Sequence, residues 1–207
     1  MELKNKKVNF LGDSITYGYG LKNPEVDRYT SIIERNCGII ARNYGLSGST
    51  VALDTHRRDL PDFVTRQKDM NPDADIVVVF GGSNDYGHGT APFGNPEDSD
   101  YTTFRGALNT LYKNILQASP NAVLAVITPL HRAVERNQKG ETLAEYVEIV
   151  RAAAKDHNLP VLDLYDEYGI DPSIPEEAAR YMPDGLHPNE IGHTILAEKI
   201  TAFLENL

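Results

Sequence analysis

The sequence predicts a three-layer α/β/α sandwich built on a five-stranded parallel sheet, and three observations carry that expectation. Five short apolar runs punctuate the chain at Val8–Leu11, Ile39–Asn43, Ile76–Phe80, Val123–Ile127 and Val161–Leu164. They are continuous and not alternating, as strands covered on both faces must be. Segments of helical period separate the last three, and strand–helix alternation implies right-handed crossovers between parallel strands. Glycine-rich turns follow each of the first three runs, at the sheet edge where ligands bind in such folds. At 207 residues, the chain reads as one domain over its whole length, large enough to bury a core.

Taken in order, the first run passes directly into Gly12-Asp13-Ser14-Ile15-Thr16-Tyr17-Gly18. A strand-to-turn junction can hold a hydroxyl out of the sheet edge, with backbone N–H groups nearby to receive negative charge. The tripeptide alone also makes an ordinary turn. Asp13 is expected to bond nearby backbone and shape that turn. The second run leads into Asn43-Tyr44-Gly45-Leu46-Ser47-Gly48-Ser49-Thr50, and the third into Gly81-Gly82-Ser83-Asn84-Asp85. Glycines there let a backbone N–H approach a ligand closely, and an asparagine offers an uncharged amide donor. Helical faces follow: Phe104, Leu108, Leu111, Tyr112, Ile115 and Leu116, then Leu143, Val147, Val150 and Ala154. The final helix reads as capped by Asn189, with Ile191, Ile195, Leu196 and Phe203 at helical spacing.

Just before that cap stands Asp184-Gly185-Leu186-His187. A serine hydroxyl is a poor nucleophile at neutral pH. It needs a base within hydrogen-bond reach, and the base needs an acceptor to hold its tautomer. An Asp three residues before a His, in a loop containing glycine and proline, can turn its carboxylate back to the imidazole. Serine, glycine, asparagine and Asp-x-x-His, in that chain order and three of them at strand ends, are hard to ascribe to turns.

These blocks resemble the SGNH hydrolases, also called the GDSL esterase/lipase superfamily, from the first strand to the last helix. The resemblance implies Ser14 as nucleophile and oxyanion donor, His187 as base and Asp184 as acid. It also implies Asn84 as the side-chain oxyanion donor, from Gly82-Ser83-Asn84-Asp85. Aligning the closing Ser-Gly pair gives Gly48 as the glycine donor, with Gly45 as its rival. The family implies the flavodoxin-like strand order 2-1-3-4-5, a serine esterase mechanism and no cofactor. Its blocks are almost silent about substrate.

Composition narrows the partners. A formal net charge of −10 argues against nucleic acid and against an electrostatic hold on anionic membranes. No apolar run approaches the roughly 18–20 residues of a membrane span. The charged opening Met1–Lys7 is no secretory leader, which makes a cytoplasmic home the default expectation. Lone Cys37 cannot form an internal disulfide and reads as a small buried side chain. The six histidines show no metal-ligand spacing. Gly12-Asp13-Ser14-Ile15-Thr16 lacks the glycine-lysine pattern of a phosphate loop, which disfavours a nucleotide- or flavin-binding protein.

The substrate expected is a short acyl ester, acetyl above all, on a polar alcohol such as a sugar. The longest loop, Tyr86 to Asp100, leaves the catalytic edge and is rich in turn formers. His88 and Phe93 in it, and Arg132 after the fourth run, are the candidate substrate contacts. Lysophospholipid or thioester hydrolysis is the alternative within the fold, and a non-catalytic binding module the alternative outside it.

Overall fold

The computed structural model describes residues 1–207, and in it the apolar runs form β1 (Lys7–Gly12), β2 (Ile40–Gly45), β3 (Ile76–Phe80), β4 (Val123–Ile127) and β5 (Val161–Leu162). All neighbours pair parallel, in the order β2-β1-β3-β4-β5. Helical segments connect them: α1 (Ser14–Tyr17), α2 (Pro24–Asp27), α3 (Tyr29–Cys37), α4 (Phe63–Arg66), α5 (Ser83–Gly87), α6 (Phe104–Ala118), α7 (Leu143–Asp156), α8 (Leu164–Glu167), α9 (Pro175–Tyr181) and α10 (Glu190–Glu205).

Because side chains alternate across a strand, the sheet builds two cores. Val77 and Val79 of β3 meet Phe104, Leu108 and Leu111 of α6 with Val147 and Val150 of α7. Ile76, Val78 and Phe80 meet Tyr29 and Ile33 of α3 with Leu196 and Ile200 of α10. Each such side chain contributes about 1.5–3 kcal/mol when fully buried, so the central strand is apolar throughout. Caps set where the long helices begin. Thr103 accepts from Gly106, Thr142 and Glu145 form a capping box, and Asn189 accepts from the Ile191 and Gly192 N–H groups.

Some boundaries differ from the sequence pattern. The fifth strand stops at Leu162 instead of Leu164. Thr128 Oγ1 donates to Asp163 and accepts from the Tyr165 N–H, each at 3.0 Å, and so turns the chain into α8. Leu116 and Ile191 fall off the buried stripes of α6 and α10 and are exposed. Cys37 is half-buried, beside Thr201.

At the C-terminal sheet edge, Gly12 and Gly45 stand opposite each other in register. A Cβ on Gly12 would lie 1.9 Å from Thr16 Oγ1, and one on Gly45 would lie 2.2 Å from the Tyr17 nitrogen. Only bare backbone lets α1 start at once and fold across both strand ends. That crossing puts Ser14 at the edge of the sheet.

Candidate active site

Ser14 is the first residue of α1, capped by Asp13, whose Oδ1 accepts from the Ile15 N–H at 3.0 Å. Its hydroxyl lies 2.9 Å from His187 Nε2, across 173 residues of chain. His187 Nδ1 lies 2.6 Å from Asp184 Oδ2. An ionised carboxylate only accepts, so Nδ1 carries the proton and Nε2 is free to accept from the serine. Gly185, at φ +74, closes the turn that brings Asp184 back. Asp184 Oδ1 accepts from the Leu186 and His187 N–H groups at 3.0 and 2.7 Å. Partial burial pushes the carboxyl up, but these bonds and the imidazole outweigh it and hold Asp184 below the usual carboxylate range.

Around Ser14 stand the donor groups. The Ser14 and Gly48 N–H groups donate to no protein acceptor, whereas the Gly45 N–H is taken by Asn43 Oδ1 at 2.8 Å. The bonding pattern therefore favours Gly48 over Gly45 as a free donor. Gly48 holds φ +79, a conformation that suits glycine. The Asn84 amide donates to the Ser49 carbonyl at 3.1 Å and reaches Asp13 Oδ2 at a long 3.4 Å. One amide hydrogen is thus anchored and the other only loosely held. Glycine at 82, with φ +109, starts the α5 turn that carries Asn84.

Buried ionisable groups support this layer, and sequence reasoning missed most of them. Asp85 accepts from the Val51 and Ala52 N–H groups at 2.8 and 2.9 Å, tying the turn after β3 to the segment after Gly48. Burial pushes Asp85 up to about 7 and Asp13 up to about 6. Arg66, buried over Phe63, bonds Ser49 Oγ, the Tyr44 carbonyl and the Gly12 carbonyl. One cation thereby fastens the ends of β1 and β2, which the isolated arginine in the sequence does not announce.

The expected substrate contacts divide. His88 reaches Asp54 Oδ2 at 3.2 Å and Arg57 at 3.4 Å, beside the donors. Arg132 bonds the Ser83 carbonyl at 2.9 Å and lies over the Tyr86 ring. Phe93 is no pocket wall: it packs edge-on against Tyr146, 5.0 Å away, on the core. The loop itself also begins later than expected, since Tyr86 and Gly87 complete α5 and Tyr86 is buried. Tyr19, absent from the expected contacts, stacks obliquely on His187 at 4.6 Å. No group of three or more His, Cys, Asp or Glu side chains is arranged to hold a metal ion, and no helix is long and apolar enough to cross a membrane.

A family model described as GDSL-like Lipase/Acylhydrolase matches residues 10–195. The chain belongs to that family. This GDSL hydrolase is similar to the rhamnogalacturonan acetylesterase RhgT of Bacillus subtilis (strain 168), 25% identical over 191 residues, covering 82% of this chain and 76% of the relative. It is similar in structure to a Lactobacillus plantarum protein, 32% identical, with a TM-score of 0.88 over 98% of both chains. The lipase/acylhydrolase from Enterococcus faecalis, at 24% identity, shares the fold with a TM-score of 0.70 over 97% of this chain and 96% of its own.

Proposed function

We propose that this GDSL hydrolase is a cofactor-independent serine esterase that removes short acyl groups, acetyl above all, from a polar alcohol such as a sugar. The observation that carries this reading is the continuous path from Ser14 through His187 to Asp184, at 2.9 and 2.6 Å. As Ser14 Oγ attacks the ester carbonyl, its proton passes to His187 Nε2. Asp184 stabilises the imidazolium, and the Ser14 and Gly48 N–H groups with the Asn84 amide receive the oxyanion. His187 then protonates the leaving alcohol. Water, deprotonated by the same imidazole, attacks the acyl-enzyme and releases the carboxylic acid and Ser14.

A short acyl group suits the walls. A long chain needs continuous apolar surface, because each buried methylene contributes only about 0.8 kcal/mol. The nearby cavity of about 610 Å³ lined by His88, which none of Ser14, Gly48, Asn84 and His187 lines, offers no such surface, since Tyr86 is its one hydrophobic wall among nine residues. The acetylesterase name of the Bacillus subtilis relative supports the same substrate class.

Ser14→Ala is expected to lower kcat for p-nitrophenyl acetate by about 10³–10⁶-fold while circular dichroism stays unchanged. Near-wild-type turnover would overturn the nucleophile assignment. Across p-nitrophenyl esters, kcat/KM should peak at acetate or butyrate and fall beyond about six to eight carbons, where methylenes run out of apolar wall. A maximum at palmitate, or preference for lysophosphatidylcholine over an acetylated sugar, would replace this reading with a lipase one.

A further inference from the structure

Two guanidinium groups flank the donors around Ser14, and neither is in an ion pair with a carboxylate. Arg57 lies across the open side of Gly48. Its Nη1 and Nη2 are 2.7 and 3.1 Å from where a Cβ on that glycine would sit. It is held there from behind. Buried Asp54 faces His88 Nδ1 at 3.2 Å, so Nδ1 carries the proton and Nε2 accepts from Arg57 Nη1 at 3.4 Å. An exposed arginine with this backing keeps Nε and Nη2 free of protein partners.

Arg132 approaches from the other side. Its Nη1 donates to the carbonyl of Ser83, the residue before Asn84, and lies 2.5 Å from where a Cβ on Gly87 would sit. Glu135 accepts from the Arg132 backbone N–H at 3.0 Å but makes no ion pair with its guanidinium, and Asp13 and Asp184 act on it only at a distance. Glu135 is engaged by His131, and Asp184 by His187. His88, bonded to Arg57, and its neighbour Gly87, beside Arg132, line the cavity already described; neither arginine lines it, and its other sides include His56 and Lys139 and no acidic residue. Lys139 is matched by Glu141 at 2.9 Å, whereas Arg57 and Arg132 meet carboxylates only through His88 and through a backbone N–H. In a chain of net charge −10, two neighbouring guanidinium groups without a direct carboxylate partner stand out. Planar guanidinium forks suit carboxylate, sulfate and phosphate oxygens.

We propose that Arg57 and Arg132 form an anion-binding pair beside the oxyanion donors, so that the preferred ester carries a negative group on its alcohol. This rests on the short-acyl reading above, since an acetyl group has no place for a charge. The guanidinium groups then bind the substrate's anion in the ground state, and the selectivity resides in KM.

The test compares mono-acetyl esters of glucose, glucuronate, a glucose sulfate and a glucose phosphate. At about 20 mM salt at least one charged ester should exceed the neutral one about tenfold in kcat/KM, mainly through KM, and the preference should shrink severalfold at about 500 mM. Which charged ester leads identifies the anion. The charged-to-neutral ratio should fall towards one in Arg57→Ala and in Arg132→Gln. Equal or better turnover of the neutral ester overturns the proposal. So does an equal loss on charged and neutral esters in both variants, which would mean the arginines serve the oxyanion instead.

Failure of the esterase reading is seen separately, as no Ser14-dependent hydrolysis of p-nitrophenyl acetate. In that event, calorimetric titration of glucuronate and the glucose sulfate and phosphate into the Ser14→Ala protein decides the point. Binding about tenfold tighter than glucose, lost in Arg57→Ala, supports the anion site, and binding no tighter than glucose overturns it.

Discussion

Asp184 and Asp85 each accept hydrogen bonds from two backbone N–H groups at the catalytic edge, yet their acidities move in opposite directions. Asp184 sits in a loop with its side chain 50% exposed. There, bonds from Leu186 and His187 hold the carboxyl below its ordinary range against a modest burial effect. Asp85 is 2% exposed, and burial pushes it up to about 7 despite the Val51 and Ala52 N–H groups, with the charge of Asp13 adding to the rise. Hydrogen bonds win where water still reaches the group, and desolvation wins where it does not. The exposed carboxylate is suited to answering a charge that comes and goes on His187. The buried one serves to pin two loops together.

Breaking the exposed side should cost the most rate. Asp184→Asn keeps the side chain's shape but removes the charge opposite His187 Nδ1 and favours the wrong tautomer. A kcat loss of about 10⁴-fold on p-nitrophenyl acetate is expected, as when other triad acids are amidated, with the thermal midpoint little changed. A loss under about tenfold would show that Asp184 does not orient the base.

Asn84 stands one residue before Asp85 and is bonded to the Ser49 carbonyl. Asn84→Ala should lower kcat roughly 10²–10³-fold with KM nearly constant, because the amide serves the transition state more than the bound ester. A change confined to KM would move Asn84 to ground-state binding.

The smallest effect is on stability, and its sign differs at the two ends. Asp13 and Asp85 hold their protons in the native state to about pH 6 and about pH 7, whereas the unfolded chain releases them near 3.8. The native state therefore binds more protons across that window, and stability falls as pH rises from about 4 to about 7. Asp184 works the other way. Its lowered value adds stability above 3.8 that is lost as pH falls through the native value. Urea midpoints recorded from about pH 3 to 8 should show a shallower decline above pH 4 in Asp85→Asn than in the natural sequence. Parallel curves would mean Asp85 is ionised throughout and that burial does not dominate.

Much of the site was legible because its chemistry is local. Gly12-Asp13-Ser14, Gly82-Ser83-Asn84-Asp85 and Asp184-x-x-His187 each mark a proposed role by a motif of a few residues, and turn chemistry marks where each stands relative to a strand. Arg66, Asp85 and the Asp54–His88–Arg57 chain were not legible. Their roles depend on partners 17 to 54 residues away, and a lone Arg or Asp reads the same on a surface as beneath a site. Phe93 misled for a similar reason. An apolar residue in a polar loop can line a pocket or anchor the loop to the core, and only the position of Tyr146 decides.

By itself the sequence determined the parallel sheet and the glycine turns at its strand ends, which follow from the period of apolar side chains and from backbone freedom at glycine, properties of short segments. The strand order and the candidate site residues came from the resemblance of its blocks to the family. Tertiary structure alone decided which glycine N–H was free, since Asn43 folds back to take that of Gly45. It also decided which carboxylates lost their water, because desolvation depends on everything packed around a group and on nothing in its immediate sequence.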